Sequence, residues 1–189
     1  LGLRESTVIL SLAIVPFSFE TPISYNEMVK SGFFVKFDAK EQLEKWKRTT
    51  TKSTLDFWKE QPREAKVISL LPSPNDVSLE VGLTKMDEYL SSHPYSGKFN
   101  KANAFCFSRG NYFDFPKIEH AWWQVFGEET ELPYNGWKIR DCRTVIDVLT
   151  GSNNGKFPID EPEGFVKHHP LHDAAYDATV LKTIFQSLL

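Results

Sequence analysis

Apolar residues fall along the chain in two rhythms. Solid runs without polar alternation mark buried strands: Val8–Phe17 (VILSLAIVPF), short and closed by a Pro-Phe pair, and Gly32–Phe37 (GFFVKF). A polar connection rich in Ser and Asn separates them, and the two are expected to pair as neighbours. Lys40–Arg48 then predicts a short helix, and Ser53–Gln61 a second with Ser53 as N-cap. Asp76–Leu90 predicts a longer amphipathic helix, in which Leu79, Leu83, Met86 and Leu90 recur at steps of 4, 3 and 4. Ala102–Phe107 (ANAFCF) returns to strand. Pro116–Phe126 predicts a helix with Pro in its first turn and Gly127 at its end. Trp137–Arg140 predicts a short strand and Arg143–Leu149 a helix. Gly151–Gly164 is a loop, and a helix from Leu171 to Leu189 closes the chain. The order β-β-α-α-β-α-β-α-α predicts an α/β protein with a mixed sheet.

Composition narrows the class. The 189 residues carry 22 Lys and Arg against 25 Asp and Glu, a formal net charge of −3. With 41% hydrophobic and 25% charged residues and no internal repeat, the chain reads as one compact domain over residues 1–189. A domain of this length buries about 70% of its unfolded surface, so its core needs no staples. The acidic balance excludes a protein that coats nucleic acid by bulk charge, but not an enzyme that grips a strand end through bound metal. Cys106 and Cys142 cannot make a disulfide framework and fit a reducing, cytoplasmic setting. No apolar run approaches the ~20 residues of a membrane span, so no membrane partner is expected.

The segment richest in candidate chemistry is His168–Asp177, HHPLHDAAYD. In the helix that follows, Ala174, Ala178, Leu181, Phe185 and Leu188 form one apolar stripe, with Thr179, Lys182, Thr183 and Gln186 on the opposite side. Asp177 sits about 50° from the centre of that stripe. An inward carboxylate needs partners, and a hydrogen-bonded structural Asp and a Mg²⁺ ligand both meet that need. His172, at the loop–helix junction, has a side chain that takes a proton from water near pH 7 when neutral. Asp114, in RGNYFDFP, lies between a strand end and a helix start, a position for a cap or for a ligand-binding carboxylate. Asp141, in IRDCRT, occupies a similar junction and suits capping or pairing with Arg140 or Arg143. Lys45, Lys47, Arg48 and Lys52 around Trp46 form a basic-aromatic run, either a solvated surface or a phosphate and base contact.

His172, Ala174 and Asp177 match the H-x-A-x-x-D motif of the DEDDh 3′–5′ exonucleases, and Asp114 fits that family's middle carboxylate. The stretches VKFDAKEQ, TKSTLDFWKEQPREA, SRGNYFDFP, RDCRT and GFVKHHPLHDAAYD are similar to one branch, the exonuclease A type of T-even bacteriophages. They run in order from Val35 to Asp177. The resemblance implies a DnaQ-like, ribonuclease H-like fold with a mixed five-stranded sheet flanked by helices. It implies two-metal hydrolysis of phosphodiesters from the 3′ end of single-stranded nucleic acid, DNA favoured, with two Mg²⁺ or Mn²⁺ ions. Asp114 and Asp177 would be metal ligands, His172 the general base, and Arg109 and Phe113 contacts to the terminal nucleotides.

The family's first motif, Asp-x-Glu on the first strand, is absent: Leu1-Gly2-Leu3 looks like its tail, and no Asp-x-Glu precedes Val8. The expectation is that the natural protein continues upstream of Leu1 with a strand carrying Asp-x-Glu-Thr, so that 1–189 is an N-terminally truncated exonuclease domain. Without that motif the alternative is a nuclease-like module that binds nucleic acid without cleaving it. An HD-type metal phosphohydrolase, suggested by His172-Asp173 beside His168 and His169, is disfavoured by the strands and by having only His93 and His120 upstream. A zinc pair from His168 and His172 is disfavoured by Pro170, which breaks their helical spacing.

Overall fold

The computed structural model describes residues 1–92 and 103–188. Ala102, at the start of the expected third strand, His93 and Leu189 lie outside the described residues. The elements are β1 (Ser11–Ile14), α1 (Tyr25–Ser31), β2 (Phe33–Lys36), α2 (Ala39–Glu44), α3 (Lys52–Glu60), α4 (Arg63–Ser69), α5 (Leu79–Ser92), β3 (Cys106–Ser108), α6 (Asn111–Phe126), β4 (Ile139–Asp141), α7 (Cys142–Thr150) and α8 (Pro170–Ser187). A single 3-10 turn, Gly136–Lys138, leads into β4.

β1 and β2 pair antiparallel, with Leu12 opposite Val35 and Ile14 opposite Phe33. β3 and β4 pair parallel, with Phe107 opposite Arg140. The α/β class and the β1–β2 pairing agree with the sequence. A single five-stranded sheet does not: among the described residues the four strands form two separate two-stranded sheets. Both senses of a mixed sheet are present, but no ladder joins them.

β1 is also shorter than the apolar run that predicts it. The Val8 N–H bonds to the Thr49 carbonyl at 2.9 Å and the Ile9 N–H to Gln42 Oε1 at 2.9 Å, so the start of the run is pinned to partners outside β2. Helix α1 falls in the segment read as a polar connection. Ser24 and Glu27 bond each other's backbone N–H, a capping box. Helix α3 is preceded by Thr51, not capped by Ser53. Helix α6 starts at Asn111 rather than at Pro116, which lies inside it and removes one backbone hydrogen bond.

Three packed groups hold the elements. Leu12, Val35 and Phe37 bury against Leu79, Leu83 and Met86 of α5 and Ala121 and Trp122 of α6. Cys142 and Ile146 of α7 bury against Val180, Leu181 and Ile184 of α8. Tyr25 and Met28 of α1 meet Ala175 and Ala178 of α8. Because α8 is packed against both α1 and α7, its buried arc is wider than the predicted stripe and turned away from it. Phe185 and Leu188 are 36% and 56% exposed, while Lys182 is buried and donates to the carbonyls of Ser18 and Thr21.

Within the basic-aromatic run, Arg48 and Trp46 are turned inward while Lys45, Lys47 and Lys52 stay exposed. Arg48 is 3% exposed and donates to the carbonyls of Thr7 and Glu5, to His120 Nδ1 and to Gln124 Oε1. Trp46 donates to Glu41 and packs against the first core group. These two side chains stitch α2 to the N-terminal segment and to α6, and are not a nucleic-acid surface.

Candidate active site

The parallel pair delivers two loops to one place. At the end of β3 the chain turns through Gly110, whose φ of 96° favours glycine, and enters α6 at once. That turn puts Arg109 just before α6 and Asp114 in its first turn. At the end of β4, Asp141 caps α7 by accepting from the Thr144 N–H at 2.8 Å, while its other oxygen accepts from the N–H groups of Gly110 and Asn111 at 2.7 and 3.0 Å. Burial pushes the Asp141 carboxyl up, but the hydrogen bonds from Thr144, Asn111 and Gly110 outweigh it and hold the pKa below the usual range. Asp141 is therefore a cap, as the sequence suggests, and Arg140 instead bonds the carbonyls of Trp137 and Ile139.

Asp177, on the second turn of α8, faces this junction with its side chain 17% exposed. Arg109 grips it as a fork: Nε donates to Oδ1 and Oδ2 at 2.9 and 3.1 Å, and Nη2 donates to Oδ1 at 2.5 Å. The remaining arm, Nη1, donates to the Gly155 carbonyl at 2.8 Å. Gly155 stands at φ 64° so close to α7 that an added Cβ would lie 2.5 Å from the Arg143 side chain.

Asp114 has a contrasting environment. Burial pushes its carboxyl up to about 6, partly offset by Lys117 and reinforced by Asp177. Among the described residues it has no hydrogen-bond donor. The Cys142 thiol lies among the same groups, pushed up to about 12 first by burial and then by Asp177, with smaller contributions from Asp141 and Asp114. Arg109 and Asp177 are thus in direct contact, and Asp114 lies within the electrostatic reach of Asp177. Phe113 lies on the same turn as Asp114, 37% exposed, with Lys117 Nζ 3.3 Å from its ring centroid.

His172 is held from another side. Its Nδ1 lies 2.8 Å from the Tyr25 hydroxyl and accepts the Val166 N–H at 3.2 Å. A backbone N–H only donates, so in this arrangement the neutral ring carries its proton on Nε2. Burial lowers the pKa of His172, against an opposing hydrogen bond to the Gly164 backbone. Tyr25 is the residue that the sequence reading misses, although the S-x-x-E cap that begins at Ser24 announces the helix that carries it. His169 caps α8 through Nδ1, and the His168 ring stands against Phe57, 6.3 Å between centroids. Among the described residues no three His, Cys, Asp or Glu side chains converge as a ready-made metal cluster, so neither the zinc nor the HD-type reading gains support.

Comparison with known proteins gives the class first: the chain is a DnaQ-like exonuclease related to the phage type. It belongs to the 3′–5′ exoribonuclease Rv2179c-like domain family, whose model matches residues 1–185. It is 32% identical over 197 residues to the exodeoxyribonuclease of Enterobacteria phage T4, an alignment covering 96% of this chain and 84% of that protein. No solved structure matches it. Among the described residues no helix is long and apolar enough to cross a membrane.

Proposed function

We propose that the chain removes nucleotides from the 3′ end of single-stranded nucleic acid, with DNA preferred, using Mg²⁺ or Mn²⁺ held at Asp114 and Asp177. The observation that carries this reading is the state of Asp114: a desolvated carboxyl with no hydrogen-bond donor among the described residues, next to a second carboxylate. Cations relieve such a pair, and Mg²⁺ needs only one or two protein carboxylates because it keeps water and substrate oxygens as its other ligands. When bound, divalent cations neutralise charge on the phosphodiester and acidify a water molecule.

The protein's own groups supply the rest. His172, whose pKa burial lowers, takes the proton of the attacking water. To do so through Nε2 its ring proton must sit on Nδ1. The Tyr25 hydroxyl can accept that proton's hydrogen bond, whereas the Val166 N–H must let go. Arg109 and Phe113 supply a cation and a ring face beside the carboxylates, the chemistry that a terminal nucleotide requires. DNA is preferred on the strength of the phage T4 relative, which bears the name exodeoxyribonuclease.

A second reading, binding without cleavage, is favoured by one observation: Arg109 already neutralises Asp177. Incubating the protein with 5′-labelled single-stranded DNA and RNA, in Mg²⁺, in Mn²⁺ and in chelator, separates the two. The expected result is a ladder shortening from the 3′ end, metal-dependent and faster on DNA. A retarded but unshortened strand in every condition would establish the binding module.

A further inference from the structure

The Arg109–Asp177 fork occupies the lone pairs that the proposed function gives to a metal ion. Both oxygens of Asp177 accept from the guanidinium, in three hydrogen bonds of 2.5 to 3.1 Å. A guanidinium and a divalent cation on one carboxylate repel each other and compete for its electron pairs, three of which the fork already uses. Two neighbouring carboxylates already have donors of their own. Asp141 is filled by three N–H groups. Asp147 Oδ1 accepts from the Gly155 N–H and the Ser152 hydroxyl. Asp114 lies under the field of Lys117.

We propose that Arg109 is a resident counter-cation that competes with the divalent ion for Asp177, so that the site loads by exchange of one cation for another. The inference rests on the metal-binding reading of Asp177. Exchange explains how a carboxylate that is only 17% exposed keeps hydrogen-bond partners and a fixed orientation before metal arrives. It also fixes where Arg109 goes. Its side chain, 31% exposed and tethered otherwise only to the Gly155 carbonyl, is released at the mouth of the site. The substrate phosphate is an anion that the released guanidinium fork fits in bidentate fashion. Metal loading thereby arms a phosphate clamp, and the strand end is gripped only after the cation is in place.

The test is Mn²⁺ affinity without nucleic acid, read from the electron paramagnetic resonance signal of free Mn²⁺ during titration of the wild-type protein, Arg109→Gln and Arg109→Lys. Removing the competitor is expected to tighten Mn²⁺ binding about tenfold in Arg109→Gln. Arg109→Lys, which keeps the charge but loses the fork, should fall between it and wild type. In chelator, Arg109→Gln should melt below wild type, and saturating Mn²⁺ should close the gap. Unchanged or weaker Mn²⁺ binding in both variants would overturn the exchange while leaving the metal reading intact. Absence of Mn²⁺ binding in wild type and both variants alike would overturn the metal reading itself, and the exchange with it.

Discussion

The Tyr25 hydroxyl and Nδ1 of His172 lie 2.8 Å apart, joining residues 147 positions distant in the chain. Tyr25 is 8% exposed and packs with Ala175 and Ala178 of α8, so the hydroxyl is presented by a buried, immobile ring. Because it both donates and accepts, it can hold either tautomer of His172, which the Val166 N–H cannot. Replacing Tyr25 by Phe keeps the packing and removes only this partner. The expected result is a fall in kcat of about tenfold with KM unchanged, at a stability cost of about 1 kcal/mol. Steady-state rates on a labelled single strand, paired with thermal unfolding, would check both.

Asp114 makes stability depend on pH. Its folded-state pKa is raised from 3.8 to about 6, so the folded protein holds this proton more tightly than the unfolded chain. Folding is unopposed by this group below about pH 4. A penalty then grows as pH rises toward 6 and is complete above it. Asp114→Asn should therefore match wild type at pH 4 and exceed it at pH 7, by up to about 3 kcal/mol. Saturating Mg²⁺ at pH 7 should narrow that gap by stabilising wild type alone. Urea unfolding at the two pH values, with and without Mg²⁺, measures each part.

For Asp177 the structure points the other way. An inward carboxylate waiting for a metal predicts that Asp177→Asn leaves metal-free stability unchanged or raised. The Arg109 fork reverses that expectation, since the amide cannot accept all three hydrogen bonds and leaves the guanidinium without its counter-ion. A loss of about 1–3 kcal/mol in chelator is expected, together with loss of hydrolysis. For a chain of this size that is a fall of several degrees in melting temperature, readable by calorimetry.

Arg48 should behave as a folding residue, not as part of a nucleic-acid surface. Arg48→Gln removes donors from the buried carbonyl of Thr7 and the partly buried one of Glu5 and is expected to destabilise by about 2–4 kcal/mol. Lys47 and Lys52 are exposed, and their replacement by Gln should change stability by no more than about 0.5 kcal/mol. Denaturant midpoints for the three variants test this contrast.

These contrasts show where sequence was informative. Local rules hold well at α5, where Leu79, Leu83 and Met86 are all buried at the predicted spacing. The strand-to-helix junctions that carry Asp114 and Asp141 were also legible, because a βα junction is written in a few consecutive residues. The failures have one physical origin, the choice of partner from distant segments. Nothing near Arg48 announces that its charge will be spent on carbonyls 41 and 43 residues away. Nothing near Lys182 announces that a loop carrying Ser18 and Thr21 will cover it. At the site, the motif pointed to His172 and Asp177, but not to the Tyr25 hydroxyl and the Arg109 guanidinium that occupy them. Those occupants come from β3 and α1, and only the folded chain brings them into reach.

The carboxylate of Asp141 has a further consequence for motion. One side chain holds the first N–H groups of α6, at Gly110 and Asn111, and the capping N–H of α7, at Thr144. Two helices that diverge from the sheet thus share a single hinge pin at their roots. Amide hydrogen exchange at these three positions should report one common opening event rather than three separate frayings. Any disturbance that unseats Asp141 loosens both roots at once, and swings the α6 turn bearing Asp114 without touching that residue.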